Sequence, residues 1–101
     1  MKPILILPEV ELEIINSIQY YQTRSPGLEF LFIKEIEIGI EKIELNPERF
    51  PKIEKNIRKY LIHRFPFSII YEIFSQEIII LAVAHHSRKP MYWMKRRTLK
   101  E

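Results

Sequence analysis

The spacing of apolar residues in the first quarter of the chain predicts a short strand followed by a helix. Residues 2–7 (KPILIL) form an apolar run, and Pro3 confines this strand to the edge of a sheet or to its own start. In residues 8–23 the apolar positions recur at helical spacing, and a proline at the first position suits the start of a helix. These apolar positions are Val10, Ile14, Ile18 and Tyr21.

The next apolar segment has a pattern that fits both a strand and a helix. Its isoleucines alternate over residues 36–40 as in a strand, whereas over residues 33–43 they also step by three and four as in a helix. Length decides between the two, because a run of about twenty residues far exceeds the usual strand of about 5 to 6 residues. We therefore predict a second helix that is capped by Ser25, ends at Asn46 and crosses the first helix closely at Gly39.

The second half of the chain has the composition of a loop followed by three strands. Residues 46–56 hold two prolines and no apolar periodicity, which predicts a loop with Phe50 as its anchor in the core. Three runs of β-type residues follow, at 57–63, 67–74 and 77–84, and the breaks between them are short enough for hairpins. These runs predict an antiparallel meander.

The strand patterns also predict which residues share a face of the sheet. Phe67, Ile69, Tyr71 and Ile73 alternate with Ser68, Ile70, Glu72 and Phe74, so the two sets should lie on opposite faces. The run EIIILAVAH at 77–85 is the most apolar of the chain and predicts a strand that is buried on both faces. Two amphipathic helices need an apolar surface to cover, which indicates an α+β domain of two layers.

Composition places the chain among packed globular proteins with one domain, residues 1–101. Hydrophobic residues make up 47% and charged residues 29%, and there is no cysteine, which excludes disulfides and thiolate metal sites. The apolar run before Pro8 is too short for a signal-peptide core or a membrane span, so we expect a cytoplasmic protein with no membrane partner.

Charge is distributed unevenly along the chain. Residues 1–48 carry four basic and nine acidic side chains, whereas residues 49–101 carry twelve basic and four acidic ones. An asymmetry of this kind indicates an acidic partner, either a nucleic acid or an acidic protein segment.

A cluster of titratable, cationic and aromatic groups comes directly after the most apolar strand. One interpretation is a solvated turn followed by a tail that packs on the sheet. The other is a target-binding surface that combines cations with aromatic rings. The candidate residues for such a surface are Arg58, Arg64, Arg88, Tyr92, Trp93, Lys95, Arg96 and Arg97.

The same cluster offers groups for two kinds of chemistry. A ribonuclease needs a base, a cation near the phosphate and an acid, roles that His86, Arg88 and Tyr92 are chemically able to fill. A metal site is not expected, because His85 and His86 are adjacent and would point to opposite sides of a strand. No cofactor is indicated.

Several blocks of the sequence resemble the toxins of the RelE/ParE superfamily of type II toxin–antitoxin systems, and more closely its ParE branch, the plasmid stabilisation type. The blocks are YYQ and PGL, then NPERFP, RFPFSIIYEI and ILAVAHHSRKPMYW, in the family's order from about residue 7 to residue 97. The resemblance implies a RelE/ParE-like fold: an N-terminal strand and a two-helix hairpin packed on a small antiparallel sheet that ends in a three-strand meander.

The resemblance also implies alternative functions. ParE-branch members are implicated in poisoning DNA gyrase, without catalysis of their own. RelE-branch members cleave mRNA on the ribosome and carry an arginine in the middle strand, where this chain has Ser68, although Arg88 and Tyr92 resemble a later pair of that branch. A third alternative is an inactive module that only binds an antitoxin.

Membership of this superfamily implies a protein partner. The cognate antitoxin would wrap the toxin with a segment that is often disordered until it binds, and the basic second half of the chain would complement an acidic segment. The sequence leaves homodimerisation undecided.

Overall fold

The computed structural model describes residues 1–97 as two helices and a five-stranded sheet. The strands are β1 (Ile4–Ile6), β2 (Lys52–Glu54), β3 (Ile57–Leu61), β4 (Phe67–Ile73) and β5 (Ile78–His85), and the helices are α1 (Pro8–Arg24) and α2 (Leu28–Leu45). Two short 3₁₀ helices, Pro47–Arg49 and Tyr92–Arg96, complete the described chain. The α+β architecture predicted from the sequence is confirmed.

The strands lie in the order β1-β5-β4-β3-β2. The meander β3-β4-β5 is antiparallel as predicted, whereas β1 pairs in parallel with β5 through Ile4 opposite Ile78. The sheet is therefore mixed, because the helical hairpin carries the chain from the end of β1 across to the far side of the sheet before the meander begins. Strand β1 pairs with only the first three residues of β5, Ile78–Ile80.

A β-bulge interrupts β5 just where β1 ends. Ile70 of β4 pairs with Ala82, but its neighbour Tyr71 pairs with Ile80, so Leu81 is an extra residue. As a result Leu81 and Ala82 both lie on one face of the sheet, in the same apolar cluster.

The two faces of the sheet are covered by different parts of the chain. Both helices pack on the first face, where Val10, Phe32 and Ile43 are fully buried. The second face is covered by the C-terminal segment, whose Trp93 is 3% exposed and packs with Leu81 and Ala82. The predicted alternation in β4 is confirmed: Phe67, Ile69, Tyr71 and Ile73 belong to the first core, and Ile70 and Phe74 to the second.

The predicted start of the second helix is wrong. Gly27 is its N-cap, with φ of +100°, and the Gly27 amide donates a hydrogen bond to Oε1 of the buried Glu29 at 2.8 Å. Ser25 instead ends α1, since its amide donates to the Tyr21 carbonyl. A left-handed conformation at the junction suits glycine and not serine.

The prediction that the two helices cross closely at Gly39 is also wrong, because Gly39 lies against the sheet. A Cβ placed at Gly39 would lie 2.6 Å from Cε2 of Tyr60 and 2.9 Å from Cδ1 of Ile69. The close approach is therefore between α2 and the sheet, and not between the two helices. Glycine allows this approach because it has no side chain.

The predicted loop at residues 46–56 contains two regular elements, the 3₁₀ helix Pro47–Arg49 and the edge strand β2. Three residues are too few to show a strand period in the sequence. Phe50 is confirmed as an anchor, with its ring 5.1 Å from that of Tyr60 in an edge-on contact. Among residues 1–97, no helix is long and apolar enough to cross a membrane.

Candidate functional site

The segment after β5 turns back across the second face of the sheet. The Arg88 amide donates to the His85 carbonyl at 3.0 Å, and Met91, with φ of +63°, leads into the 3₁₀ helix Tyr92–Arg96. Trp93 is buried in this helix and anchors the segment to the sheet, whereas the residues on either side of Trp93 are at least partly exposed. The tail that packs on the sheet and the cationic surface predicted from the sequence are thus parts of one structure.

Glu13 of α1 holds this segment in place. Its Oε2 accepts hydrogen bonds from the Tyr92 hydroxyl at 2.5 Å and from the Arg96 guanidinium at 2.9 Å, while Oε1 accepts from the Val83 amide at 3.0 Å. Arg96 also donates to the Leu81 carbonyl at 3.0 Å. These side chains bind backbone groups of β5 directly beyond the end of β1, so they replace strand pairing there.

Three charged side chains contact Tyr92: Glu13, Arg88 and Arg96. Arg88 and Arg96 lie with their guanidinium carbons 3.8 Å and 5.1 Å from the centre of the Tyr92 ring. Burial raises the pKa of the Tyr92 phenol far above its ordinary value, and the Glu13 carboxylate raises it further by accepting the phenolic proton in a hydrogen bond. The phenol is therefore neutral and its proton is directed at Glu13.

His86, Arg88 and Tyr92 come together along one shallow groove of about 260 Å³ on the second face. His86 lies with Nε2 3.0 Å from the hydroxyl of Ser68, which is buried on β4. Lys59 and Lys89 also line the groove. The candidate base, cation and acid predicted from the sequence thus line one groove, together with the neutral hydroxyl of Ser68 on the middle strand.

Arg97 and Arg58 form hydrogen bonds within the protein. Arg97 forms a bidentate pair with Glu72, through Nε to Oε1 at 3.1 Å and NH2 to Oε2 at 2.6 Å, and Glu72 is only 2% exposed. Arg58 donates from NH1 to the carbonyls of Glu48 and Phe50. Both arginines therefore contribute to the packing of the second half of the chain.

Three of the remaining candidates for target contact, Arg64, Arg88 and Lys95, are exposed. Arg64 lies in the turn before β4 and Arg88 lies just after β5, and these two turns meet because the His86 amide donates to the Pro66 carbonyl at 2.8 Å. Lys95 is exposed in the 3₁₀ helix. The structure thus brings Arg64 and Arg88 to one end of the sheet, while Trp93 is buried and Arg96 is paired with Glu13. Contact of any of the eight candidates with a target stays a prediction.

Sequence reasoning missed the two acids that organise this site. Glu13 lies in the second turn of α1, and its carboxylate binds Arg96 of the C-terminal segment. Glu72 stands in a strand among apolar residues, a position where a carboxylate needs a partner. That pattern was the available signal, although it does not identify Arg97 as the partner. Among residues 1–97, no group of three or more His, Asp or Glu residues is placed to hold a metal ion.

The fold and this arrangement define a small α+β protein that presents a basic C-terminal segment on its sheet, and comparison with known proteins identifies its family. Residues 4–90 match the family described as ParE toxin of type II toxin-antitoxin system, parDE. The chain therefore belongs to the ParE toxin family, and this membership implies an antitoxin partner.

A solved structure agrees with this assignment at the level of the fold. A chain of the structure titled "Chromosomal ParDE TA system from P. aeruginosa" superposes with a TM-score of 0.74 at 16% identity. The match covers 84% of this chain and 96% of that chain. No curated protein sequence matches the chain.

Proposed function

We propose that this ParE-family toxin inhibits DNA gyrase by binding to it, without cleaving a substrate. The observation that carries the proposal is the hydrogen bond from the Tyr92 hydroxyl to Glu13. A general acid must deliver its proton to the leaving oxygen of the substrate. Here the proton of the candidate acid is directed into the protein, and its pKa is raised by burial and by Glu13.

The polar group of the middle strand supports the same proposal. Ribonuclease chemistry requires a cation where negative charge develops on the phosphate. In β4 the groove is lined by Ser68, whose neutral hydroxyl is paired with His86. The groove therefore offers positive charge at its rim, from Lys59 and Lys89, and a hydroxyl at its floor.

Target contact in this proposal is made by the exposed cations at the end of the sheet. Arg64 and Arg88 lie on two turns that are joined by a hydrogen bond between His86 and Pro66. Exposed charges of one sign steer a complementary partner and fix its orientation. The resemblance of the sequence to gyrase-poisoning members supplies the target, and both gyrase and the alternative ribosomal target place the toxin in the cytoplasm.

The test is a supercoiling assay with purified gyrase and purified toxin. We expect inhibition at stoichiometric amounts, and we expect Arg88→Glu to weaken it at least tenfold because the exposed cation becomes an anion. Arg49→Glu is the matched control, since Arg49 is also exposed and lies over an aromatic ring, that of Phe50, away from the end of β5. Unchanged supercoiling at a large excess of folded toxin would contradict the proposal.

One observation favours a second candidate, an mRNA endonuclease acting on the ribosome. His86, Arg88 and Tyr92 line the same groove, as this reaction requires. In that case replacing Arg88 and Tyr92 together with alanine abolishes transcript cleavage on purified ribosomes. Absence of cleavage by the unmodified toxin removes this candidate, and absence of effects on gyrase and on ribosomes would leave an antitoxin-binding module.

For neutralisation we propose an antitoxin with an acidic segment. The half of the chain from residue 49 carries twelve basic and four acidic side chains, which complements such a segment. Its binding to the end of β5 would cover Arg88 and block access of the target. A co-expressed acidic antitoxin should therefore restore growth to cells with the unmodified toxin. If charge pairing carries the contact, the purified antitoxin should bind the Arg88→Glu variant more weakly than the unmodified toxin.

A further inference from the structure

The outer edge of β1 has no strand beside it. In the order of the sheet β1 is the first strand, and only its inner edge is paired, with β5. Leu5 and Ile6 are 44% and 37% exposed on this strand. Sheets of natural proteins usually protect such an edge with charged side chains or with a cover. Residues 4–6 (ILI) carry no charge, and no strand within residues 1–97 pairs with their outer edge.

Four backbone groups of this edge point away from the sheet, the amides and carbonyls of Ile4 and Ile6. Their direction follows from the parallel register with β5. The Ile78 amide donates to the Pro3 carbonyl at 2.9 Å, so the backbone of Pro3 faces β5. Because neighbouring residues of a strand direct these groups to opposite sides, Ile4 and Ile6 face outward. Within the described residues 1–97, none of the four outward groups has a hydrogen-bond partner.

We propose that this edge binds a second copy of the chain, with the two β1 strands antiparallel about a two-fold axis that passes between the two Leu5 residues. In this register Ile4 lies opposite the partner's Ile6. Two such residues exchange two hydrogen bonds, from amide to carbonyl in both directions. The axis produces this pair twice, so four hydrogen bonds satisfy all the outward groups of both copies. The two five-stranded sheets then form one continuous sheet.

The side chains of β1 fit the same register. Leu5 lies between the two hydrogen-bonded pairs, at the position where side chains of opposite strands are closest, and it faces the partner's Leu5. Each of these exposed side chains therefore covers the other. Ile6 lies beside the partner's Ile4, on the face of the sheet where Ile4 packs against the first core. The contact thus buries the apolar surface that the edge exposes.

The residues that flank β1 fix the direction of the contact. Pro3 lies opposite the partner's Leu7, at a position that needs no hydrogen bond between the copies, so the missing amide of proline breaks none. Lys2 lies opposite the partner's Pro8 and next to the exposed Glu9 that follows it. The antiparallel register therefore places a cation beside an anion at both ends of the contact. A parallel alignment would set Lys2 beside the partner's Lys2.

The contact is small, because it joins two strands of three residues, so the dimer should form only at high protein concentration. The axis of an antiparallel pair is perpendicular to the sheet, which keeps corresponding faces of the two copies on the same side. The second face carries the C-terminal segment, anchored by Trp93. The dimer therefore displays the cations of this segment twice on one face, and this inference goes beyond the proposed contact with gyrase.

Cysteine cross-linking tests the register. The chain has no cysteine, so Leu5→Cys introduces one thiol into each copy, directly opposite the thiol of the other. Under mild oxidation we expect the disulfide-linked dimer to form at least about tenfold faster than with Leu61→Cys, because only the first pair of thiols is held within bonding distance. Leu61 is the matched control, since this leucine is 61% exposed on β3, away from β1. Equal rates for the two variants would overturn the proposal.

Sedimentation equilibrium at protein concentrations up to about 1 mM tests whether the dimer forms without a cross-link. Leu5→Lys and Leu5→Glu should each weaken association at least about tenfold, because like charges then lie directly opposite each other. An equimolar mixture of these two variants should dimerise again, since opposite charges then meet at the axis. Leu61→Lys should leave association unchanged, and thermal unfolding of each variant checks that it is folded.

A monomer at every concentration of the unmodified chain would overturn the proposal, and so would a mixture of the two charged variants that stays monomeric. Association that is equally strong in Leu5→Lys would place the contact elsewhere and would also contradict it. Neither measurement involves gyrase or an antitoxin, so failure of the gyrase proposal and failure of this one are distinguishable.

Discussion

Glu13 of α1 and Arg96 of the C-terminal segment form an ion pair of 2.9 Å between parts of the chain that are 83 residues apart, with each side chain 13% exposed. The pair lies where β1 ends and the bulge of β5 begins, and each partner also binds the backbone of β5. The fold therefore positions the C-terminal segment through one carboxylate, which joins the helix, the sheet edge and Tyr92.

This relationship predicts that Glu13→Gln destabilises the protein. The change leaves the largely buried Arg96 side chain without its anion and weakens the hydrogen bonds to Tyr92 and Val83, so we expect the free energy of unfolding to fall by about 1.5 to 3 kcal/mol. Urea unfolding followed by Trp93 fluorescence measures it. Glu11→Gln is the control, because Glu11 is exposed in the same helix. Equal unfolding midpoints for the two variants would show that the pair does not hold the segment.

The raised pKa of Tyr92 predicts a loss of stability in alkaline solution. The unfolded phenol ionises near pH 10, whereas in the folded protein burial and Glu13 hold it protonated, so the unfolded state binds fewer protons above pH 10. Tyr71 adds to the effect, since burial raises its pKa to about 12. Stability is therefore complete below pH 10 and falls as the pH rises further.

Comparison of urea midpoints at pH 8 and pH 11 checks this prediction. Tyr92→Phe should be less stable than the unmodified protein at pH 8 and should lose less between the two pH values. An equal loss in both proteins would mean that the Tyr92 phenol is not protected in the fold.

The close approach at Gly39 predicts that Gly39→Ala destabilises the protein, although alanine favours helices by about 1 kcal/mol. The new Cβ would lie 2.6 Å from the Tyr60 ring, so α2 or the ring must move. We expect a net loss of about 1 to 3 kcal/mol in thermal or urea unfolding. Glu37→Ala on the exposed side of α2 serves as the control, and a stabilised Gly39→Ala would contradict the observed packing.

Truncation of a buried side chain in β5, the most apolar strand, should lower the free energy of unfolding by more than Gly39→Ala does. Ile80 is 1% exposed between the helices and the sheet, and Ile80→Ala is expected to remove about 2 to 5 kcal/mol of stability. Leu12→Ala on the exposed side of α1 should change stability by less than about 0.5 kcal/mol. Similar melting temperatures for the two variants would show that β5 does not form the core.

Local patterns predicted most of the fold. The spacing of Val10, Ile14 and Ile18 predicted α1, and the alternation of Phe67 to Phe74 predicted both faces of β4. Three features could not be predicted from the sequence, because they depend on contacts between distant residues. The short strand β2 is defined by its pairing with β3, and the parallel pairing of β1 follows from the helical hairpin. Glycine is required at position 39 of α2 because the Tyr60 ring of β3 lies against it.

The location of the candidate site was predictable from the sequence, but the contacts within it were not. The run of cations after β5 indicated the candidate segment, since a change from apolar to charged residues is visible in one sequence, and contact of this segment with a target stays a prediction. Which arginines are exposed depends on acids elsewhere in the chain. Glu13 forms a hydrogen-bonded ion pair with Arg96 and Glu72 forms one with Arg97, whereas Arg88 is exposed. No local pattern contains those pairings.

The central claim is that the toxin acts on DNA gyrase, and pulse-labelling of DNA and protein synthesis tests it most directly. Cells would be labelled within minutes of inducing the toxin without an antitoxin, with Arg88→Glu as the matched variant. The account predicts that thymidine incorporation falls first in cells with the unmodified toxin and is spared by the variant. An early collapse of amino-acid incorporation, with thymidine incorporation unaffected, would contradict it.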